Sequence, residues 1–568
     1  MKFSDFYYER PDFLKIKTEY NFLLKNLNNS INKEEEYEYI LQINKIRNNI
    51  FSLNSISMIR HTINTNDKFY NNENDYWNEY SPYYKELDNK FYKIILKSKN
   101  RNFLEKKLSK QFFNIAENSI KTFHPNIIKD LQLENNLTSQ YQKLIASANI
   151  YFKGEFKNLS NITPYTLNNN RKTRKEALEA KYNFFKENEK KIDEIYHNLV
   201  QIRDKISKKL GYKNFVELGY IRMNRNDYNP QMVSNFREQV KRYIVPIAND
   251  LFEKQRKKLA LETLTYYDQN YEFTTGNPIP KGDVKWIIEN GGKMYSELSK
   301  ETKEFFDFMT ENELMDLETK DGKASIGYCD YICKYKSPFI FTNFNGTKED
   351  IAIFTHEVGH AFQAYRSRWI EVPELNFPTY ESSEIHSMSM EFFTWPWMEL
   401  FFKENTDKYK FSHLGKAIKF IPYGVTVDHF QHKIYENPNL TPKERKKIWR
   451  DLEKEYLPHK NYEECDFLEN GGWWFQQSHI FQSPFYYIDY TLAQICALQF
   501  FKKMNNNREE AWQDYITLCD LGGTKSFLEL VAHANLKSPF DSGTVESIIE
   551  DIKKSLDMIE NNLSKSYT

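Results

Sequence analysis

A mainly α-helical fold is predicted by three features of the 568-residue chain. Gly and Pro number only 18 each, about 3% apiece against usual levels of about 7% and 5%, so helix breakers are scarce. Long stretches rich in Lys, Glu, Leu, Ile and Asn keep apolar residues at helical spacing. Strand character is confined to short runs between residues 285 and 345, clearest at 338–344. The hydrophobic fraction of 40% is ample for burial, and the aromatic share of 16%, mostly Tyr (39) and Phe (43), can line a large cleft as well as fill a core.

Residues 1–170 read as a run of polar, amphipathic helices with no chemical motif. Ile43, Ile46, Ile50 and Leu53 lie on one helix face. Pro125 and Pro164 interrupt the pattern, and Asn168 to Asn170 read as a loop. A long helical segment is expected from Lys172 through Lys208, ended by Gly211, with helical spacing continuing through RYIVPI to about Leu264. From 285 to 345 the texture shifts towards glycines and strand-like runs, the clearest being Pro338 to Phe344. Asn345-Gly346 closes that strand as a turn, and Thr347 is expected to cap the helix that follows, with Glu349 and Asp350 acidic in its first turn. Helical text then dominates to the C-terminus, apart from a Gly- and Trp-rich interruption from Asn470 to Tyr490.

Lys plus Arg and Asp plus Glu are both 79, so nothing favours nucleic acid or an anionic membrane as a partner. Five cysteines, odd in number and scattered, argue against a disulfide scaffold and for a reducing compartment. Cys329 and Cys333 are too far apart for a CxxC pair. They are read as buried small residues in preference to a thiol switch. No apolar run approaches a membrane span, and the N-terminus lacks the pattern of a secretory signal. A cytoplasmic protein is expected.

The helix after the turn carries HEVGH, His356 to His360. Residues four apart share a helix face, so both imidazoles can hold one metal ion, and Glu357 stands beside it where a general base for metal-activated water belongs. A catalytic zinc needs a third protein ligand and one open position. The segment TYESSEIHSMSMEFFTWP offers Glu381, Glu384, His386 and Glu391. Glu384, Met388 and Glu391 form one stripe of a helix that should stop near Trp395, before Pro396. His386 points away from that stripe, so Glu384 is chosen as the ligand, with Glu391 as a partner for the free N–H of a ligating histidine. His429, His432 and Glu436 are read as a helix face with satisfied imidazoles, not a second metal set. His413, His459 and His533 have no partner that spacing reveals.

HEVGH, followed by Glu384 and Glu391, resembles the thimet oligopeptidase and oligoendopeptidase F family of zinc metallopeptidases, most of all its bacterial oligoendopeptidase F and Pz-peptidase branch. The similarity runs through FSDFYYERPDF, KKLGYKNFVELGY, YKSPFIFTNFNGTKEDIAIFTHEVGHAF, VDHFQHKIYENP and HIFQSPFYYIDYTLAQ. Gln363-Ala364 departs from it, where some members carry a further histidine that is not a ligand.

The resemblance implies a zincin-like metallopeptidase with a small β-sheet, in which two helical halves enclose a deep substrate channel. Residues 1–170 would cover the channel and 171–568 would form the catalytic domain. It implies one Zn²⁺ held by His356, His360 and Glu384, with Glu357 as the base for the zinc-bound water. The strand at 338–344 would be an exposed edge to which a peptide adds. It also implies that a histidine and tyrosines near the C-terminus serve substrate and transition state. His479, Tyr487 and Tyr490 match by order and spacing, and Tyr486 rivals Tyr487. Gly471 and Gly472 would form a turn or a hinge before them. The activity implied is internal cleavage of short unstructured peptides. A dipeptidyl carboxypeptidase-type exopeptidase and a non-catalytic peptide-binding protein are the competing readings, the latter having no need of Glu357.

Overall fold

The computed structural model describes residues 1–565. Helices dominate, with one three-stranded sheet and one small hairpin among the described residues. The N-terminal part is helical as expected, and the helix Lys33–Ile63 buries Ile43, Ile50 and Leu53. The hairpin, β1 (Ile150–Phe152) and β2 (Glu155–Lys157), is an element that the helical pattern did not disclose. The long segment after Lys172 is two helices, Arg171–Glu187 and Glu189–Lys209, broken at Asn188. Gly211, at φ +87°, ends the second.

The RYIVPI stretch is helical, with a π-helical turn at Val240–Ile244. Pro246 follows at once, and a widened turn absorbs its missing N–H. The largest difference from the expected texture lies at 284–311. Two helices, Val284–Leu298 and Lys300–Glu311, stand where strand-like runs were expected. Asp283 accepts from the Trp286 N–H and Ser299 forms a capping box with Thr302, so local capping outweighs the glycines here.

The sheet contains β3 (Met315–Glu318), β4 (Tyr328–Ile332) and β5 (Ser337–Phe344) in the order β3-β5-β4. β5 pairs parallel with β3 and antiparallel with β4, where Tyr328 faces Phe341 and Ile332 faces Ser337. The strand expected at an edge is therefore the central one, and β4 is the edge on the other side. The near-continuous burial along Pro338 to Phe344 is the physical reason: a run apolar on both faces suits a covered central strand.

β5 feeds through Gly346 (φ +83°) into the motif helix, Glu349–Arg366. The cap differs from expectation. Thr347 hydroxyl bonds to Asn345, and the Asp350 carboxylate accepts the N–H groups of Asn345 and Gly346 at 3.0 and 2.7 Å. An acidic side chain inside the first turn thus reaches back over the turn, and Thr347 caps nothing.

Three further helices frame the site: the carboxylate helix Tyr380–Phe393, the long helix Thr406–Glu436 and the tyrosine helix Tyr487–Asn506. The carboxylate helix ends just before the Trp395–Trp397 turn, as Pro396 requires. It packs against both the motif and the tyrosine helices. Gly359 makes the first of these contacts possible: a Cβ there would lie 2.6 Å from the Ser387 Cα and 2.7 Å from the His386 carbonyl oxygen. Gly424 of the long helix likewise meets Thr491 of the tyrosine helix closely. One hydrophobic core runs through these elements and takes in Ile127 to Leu144, and a smaller one joins residues 20–116 to Val372 and Leu375.

Candidate active site

Close packing at Gly359 places Glu384 between the two motif histidines. Glu384 Oε2 lies 3.2 Å from His356 Nε2 and 3.3 Å from His360 Nε2. The three residues are the one group of potential metal donors found among the described residues. Burial opposes ionisation of Glu384, but the imidazoles of His360 and His356 hold its carboxyl well below the usual range. Ser387 donates to Oε2 at 2.8 Å and the Tyr486 hydroxyl donates to Oε1 at 2.5 Å. Each carboxylate oxygen therefore accepts from a protein hydroxyl, which fixes the carboxylate's orientation.

His356 is oriented from behind. Its Nδ1 lies 2.8 Å from Glu391 Oε1, whose Oε2 lies 2.6 Å from His413 Nε2. The Trp395 indole N–H donates to His413 Nδ1 at 3.2 Å. Since an indole can only donate, a neutral His413 carries its proton on Nε2 and gives it to Glu391. Glu391 in turn accepts from His356 Nδ1, leaving the Nε2 lone pair to face a metal. Burial would raise Glu391, but hydrogen bonds from His356 and His413 hold its carboxyl down to about 2.

Glu357 is buried, and burial pushes its carboxyl above the usual range. Its Oε2 has no protein partner. Gly327, just before β4, stands beside it, since a Cβ there would be 3.6 Å from Glu357 Oε1. Gly327, Ile353 and Ser478 also line a cavity of about 390 Å³. Ile353 and Glu357 share a helix face, so the cavity lies near the carboxylate, although Glu357 itself is not part of its lining. Part of the lining comes from the N-terminal part, including His61, Thr62, Gln142 and Ala146.

The C-terminal candidates occupy three different positions. His479 Nε2 lies 3.2 Å from the Tyr490 hydroxyl, and its Nδ1 lies 2.9 Å from Gln477 Nε2. Gln477 Oε1 accepts from the Tyr423 hydroxyl at 2.7 Å. Burial lowers the His479 pKa to about 4, so the ring is neutral and the amide donor sets its tautomer, with Nε2–H directed to Tyr490. Tyr486 stacks on Tyr490 with ring centroids 4.9 Å apart while bonding Glu384. Tyr487 packs against Phe420 and Tyr423. Gly471 (φ +90°) is a tight turn pressed onto the Lys446 carbonyl.

His413 is the residue that spacing did not expose. It comes from a different helix, and nothing local ties it to Glu391. Ser387, three residues after Glu384 on the same helix, carried a readable signal in its spacing. Of the other histidines, His429 meets the Tyr456 hydroxyl, His432 meets that of Tyr220, and His459 stacks on Phe252. Burial pushes the Cys333 thiol up to about 12 and Cys329 well above its usual value, which disfavours the thiolate. Gln363 bonds Ser367 and the Asn376 carbonyl, a structural role.

The family model for the Peptidase M3 N-terminal domain matches residues 3–123, and that for Peptidase family M3 matches 165–277 and 286–549. The chain belongs to peptidase family M3. Membership makes it a metalloendopeptidase by family, and a His-His-Glu group that could hold a metal ion is present among the described residues. Among solved structures, a Pz peptidase A with an inhibitor is 55% identical (TM-score 0.97), covering 98% of this chain and 99% of that one. A structure described as an oligoendopeptidase F from Bacillus anthracis is 52% identical (TM-score 0.93), covering 99% of both chains. An oligoendopeptidase F homolog from Borreliella burgdorferi is 25% identical over 382 residues, 64% of this chain. The chain spans 62% of the length of that curated relative. No helix among the described residues is long and apolar enough to cross a membrane.

Proposed function

We propose that this M3-family chain is a cytoplasmic zinc oligoendopeptidase that cleaves internal bonds of short unstructured peptides. The observation that carries the reading is the convergence of His356, His360 and Glu384 with a buried Glu357 whose Oε2 has no protein partner, near a cavity lined by its neighbours Gly327 and Ile353. Two imidazoles, one of them oriented from behind by Glu391, and a carboxylate oriented by Ser387 and Tyr486 suit a catalytic Zn²⁺ with an open position. When bound, zinc would supply a Lewis acid that polarises the scissile carbonyl and makes water more acidic.

The chain's own groups would carry the rest. Glu357 takes a proton from the attacking water and returns it to the leaving amine, and its raised pKa suits both transfers. Tyr490 accepts from His479, which leaves its own O–H free to donate to the developing oxyanion. Tyr487 forms the wall beside it. The unpaired edge of β4 offers backbone groups to an extended peptide, which favours sequence-tolerant binding. Residues 1–170 cover the cavity and 171–568 hold the chemistry, so folded proteins are excluded.

Glu357→Gln should retain zinc by elemental analysis while hydrolysis of a quenched fluorescent peptide falls by at least about 10³-fold. Turnover near the wild-type rate in a zinc-loaded Glu357→Gln protein would sink the mechanism. Product analysis on an end-blocked peptide separates internal cleavage from dipeptide release.

A further inference from the structure

The cavity beside Glu357 has a one-sided charge. It is lined by His61, Lys143 and Lys181, and by no Asp or Glu. Lys143 has Asp75 at 3.6 Å. Lys181, from the helix Arg171–Glu187, has no ion pair and no hydrogen bond among the described residues; its Nζ lies 5.6 Å from the Tyr182 ring centroid. A balanced chain with 79 residues of each sign pairs most of its buried cations, as Arg203 with Glu134 and Arg225 with Asp489 show. Lys181 is left facing open space in the channel. Burial lowers its pKa to about 8, which still leaves a cation at neutral pH and records the cost of lacking a counter-ion.

We propose that Lys181 is a specificity residue that binds a carboxylate near the C-terminal end of the substrate peptide, and so draws that end into this cavity. A partly desolvated ammonium gains a charge-assisted hydrogen bond when a carboxylate arrives. The same field repels a peptide's free α-amino group, so it discriminates between the two ends. The carboxylate has two sources, the chain terminus or an acidic side chain. The inference rests on the reading of this cavity as the peptide channel.

Three versions of one short peptide test it: a free C-terminal acid, the C-terminal amide, and the amide with Glu near that end. Cleavage is followed in the wild type and in Lys181→Met, with Lys181→Gln as a second variant and circular dichroism as a check on folding. Wild-type KM should favour a carboxylate-bearing peptide over the plain amide by about tenfold or more, and both variants should bring that ratio to near one. A preference for the free acid assigns the terminus, and a preference for the Glu-bearing amide assigns a side chain. An acid-to-amide ratio near one in the wild type for both carboxylate peptides, or a ratio unchanged in the variants, overturns the proposal. The same ratios measured as Kd by fluorescence anisotropy, in the Glu357→Gln background, judge it without turnover. Absence of all cleavage would count against the peptidase reading, while those Kd ratios would still decide the role of Lys181.

Discussion

Two of the histidines at the site, His356 and His479, are each fixed through Nδ1 by a chain of hydrogen bonds that ends in an aromatic residue. His356 backs onto Glu391, His413 and Trp395. His479 backs onto Gln477 and Tyr423. The geometries are alike, but the first chain contains a carboxylate and the second only a neutral amide. A carboxylate behind an imidazole makes it a stronger electron donor, as a metal ligand needs. An amide donor sets the tautomer without adding charge, so His479 stays neutral and presents an N–H towards Tyr490. On the proposed mechanism, partner charge, more than partner geometry, separates the ligand His356 from the transition-state helper His479.

Substitutions in the two chains should have distinct signatures. Tyr490→Phe removes the proposed oxyanion donor, so kcat should fall by about 10²- to 10³-fold with zinc content unchanged. Equal kcat would move that role to Tyr486. Glu391→Ala should leave residual turnover of the loaded enzyme but weaken metal affinity by about 10- to 100-fold, read by chelator titration. If affinity holds, the carboxylate behind His356 does not act on the metal. Gln477→Glu makes the second chain resemble the first and should change activity by a few-fold. The sign follows from the charge: wild-type His479, held at about 4 by burial, is neutral through the neutral range. A carboxylate at 477 favours the imidazolium, so its pKa rises and kcat/KM should fall as pH drops through the new value, where the wild type stays level. A pH–rate profile identical to wild type would show that the amide's neutrality is immaterial.

The metal constellation was legible because it is built from helical periodicity. His356 and His360 are four apart on one helix, and Glu384 and Glu391 are seven apart on another. The glycine inside HEVGH finds its reason only in the packing, in the 2.6 Å approach to Ser387 that a Cβ would make. The region 284–311 was misjudged because Asp283 and Ser299 caps outweigh its glycines. The edge strand was misplaced because strand order is a property of the sheet: β3 arrives beside β5 from residues 315–318, and no local pattern announces that.

The sequence alone determined a mainly helical chain, the two-histidine helix and the carboxylate stripe that faces it, because each is a matter of spacing along one helix. Tertiary structure alone decided which tyrosine meets which partner. Tyr486 goes to Glu384, Tyr490 to His479 and Tyr487 to the wall, although all three lie within one turn or so of helix. It also decided that His413 completes the chain behind His356 and that Lys181 faces the cavity without a counter-ion. Such assignments depend on where separate helices land against one another, set by close contacts such as Gly359 on Ser387 and Gly424 on Thr491.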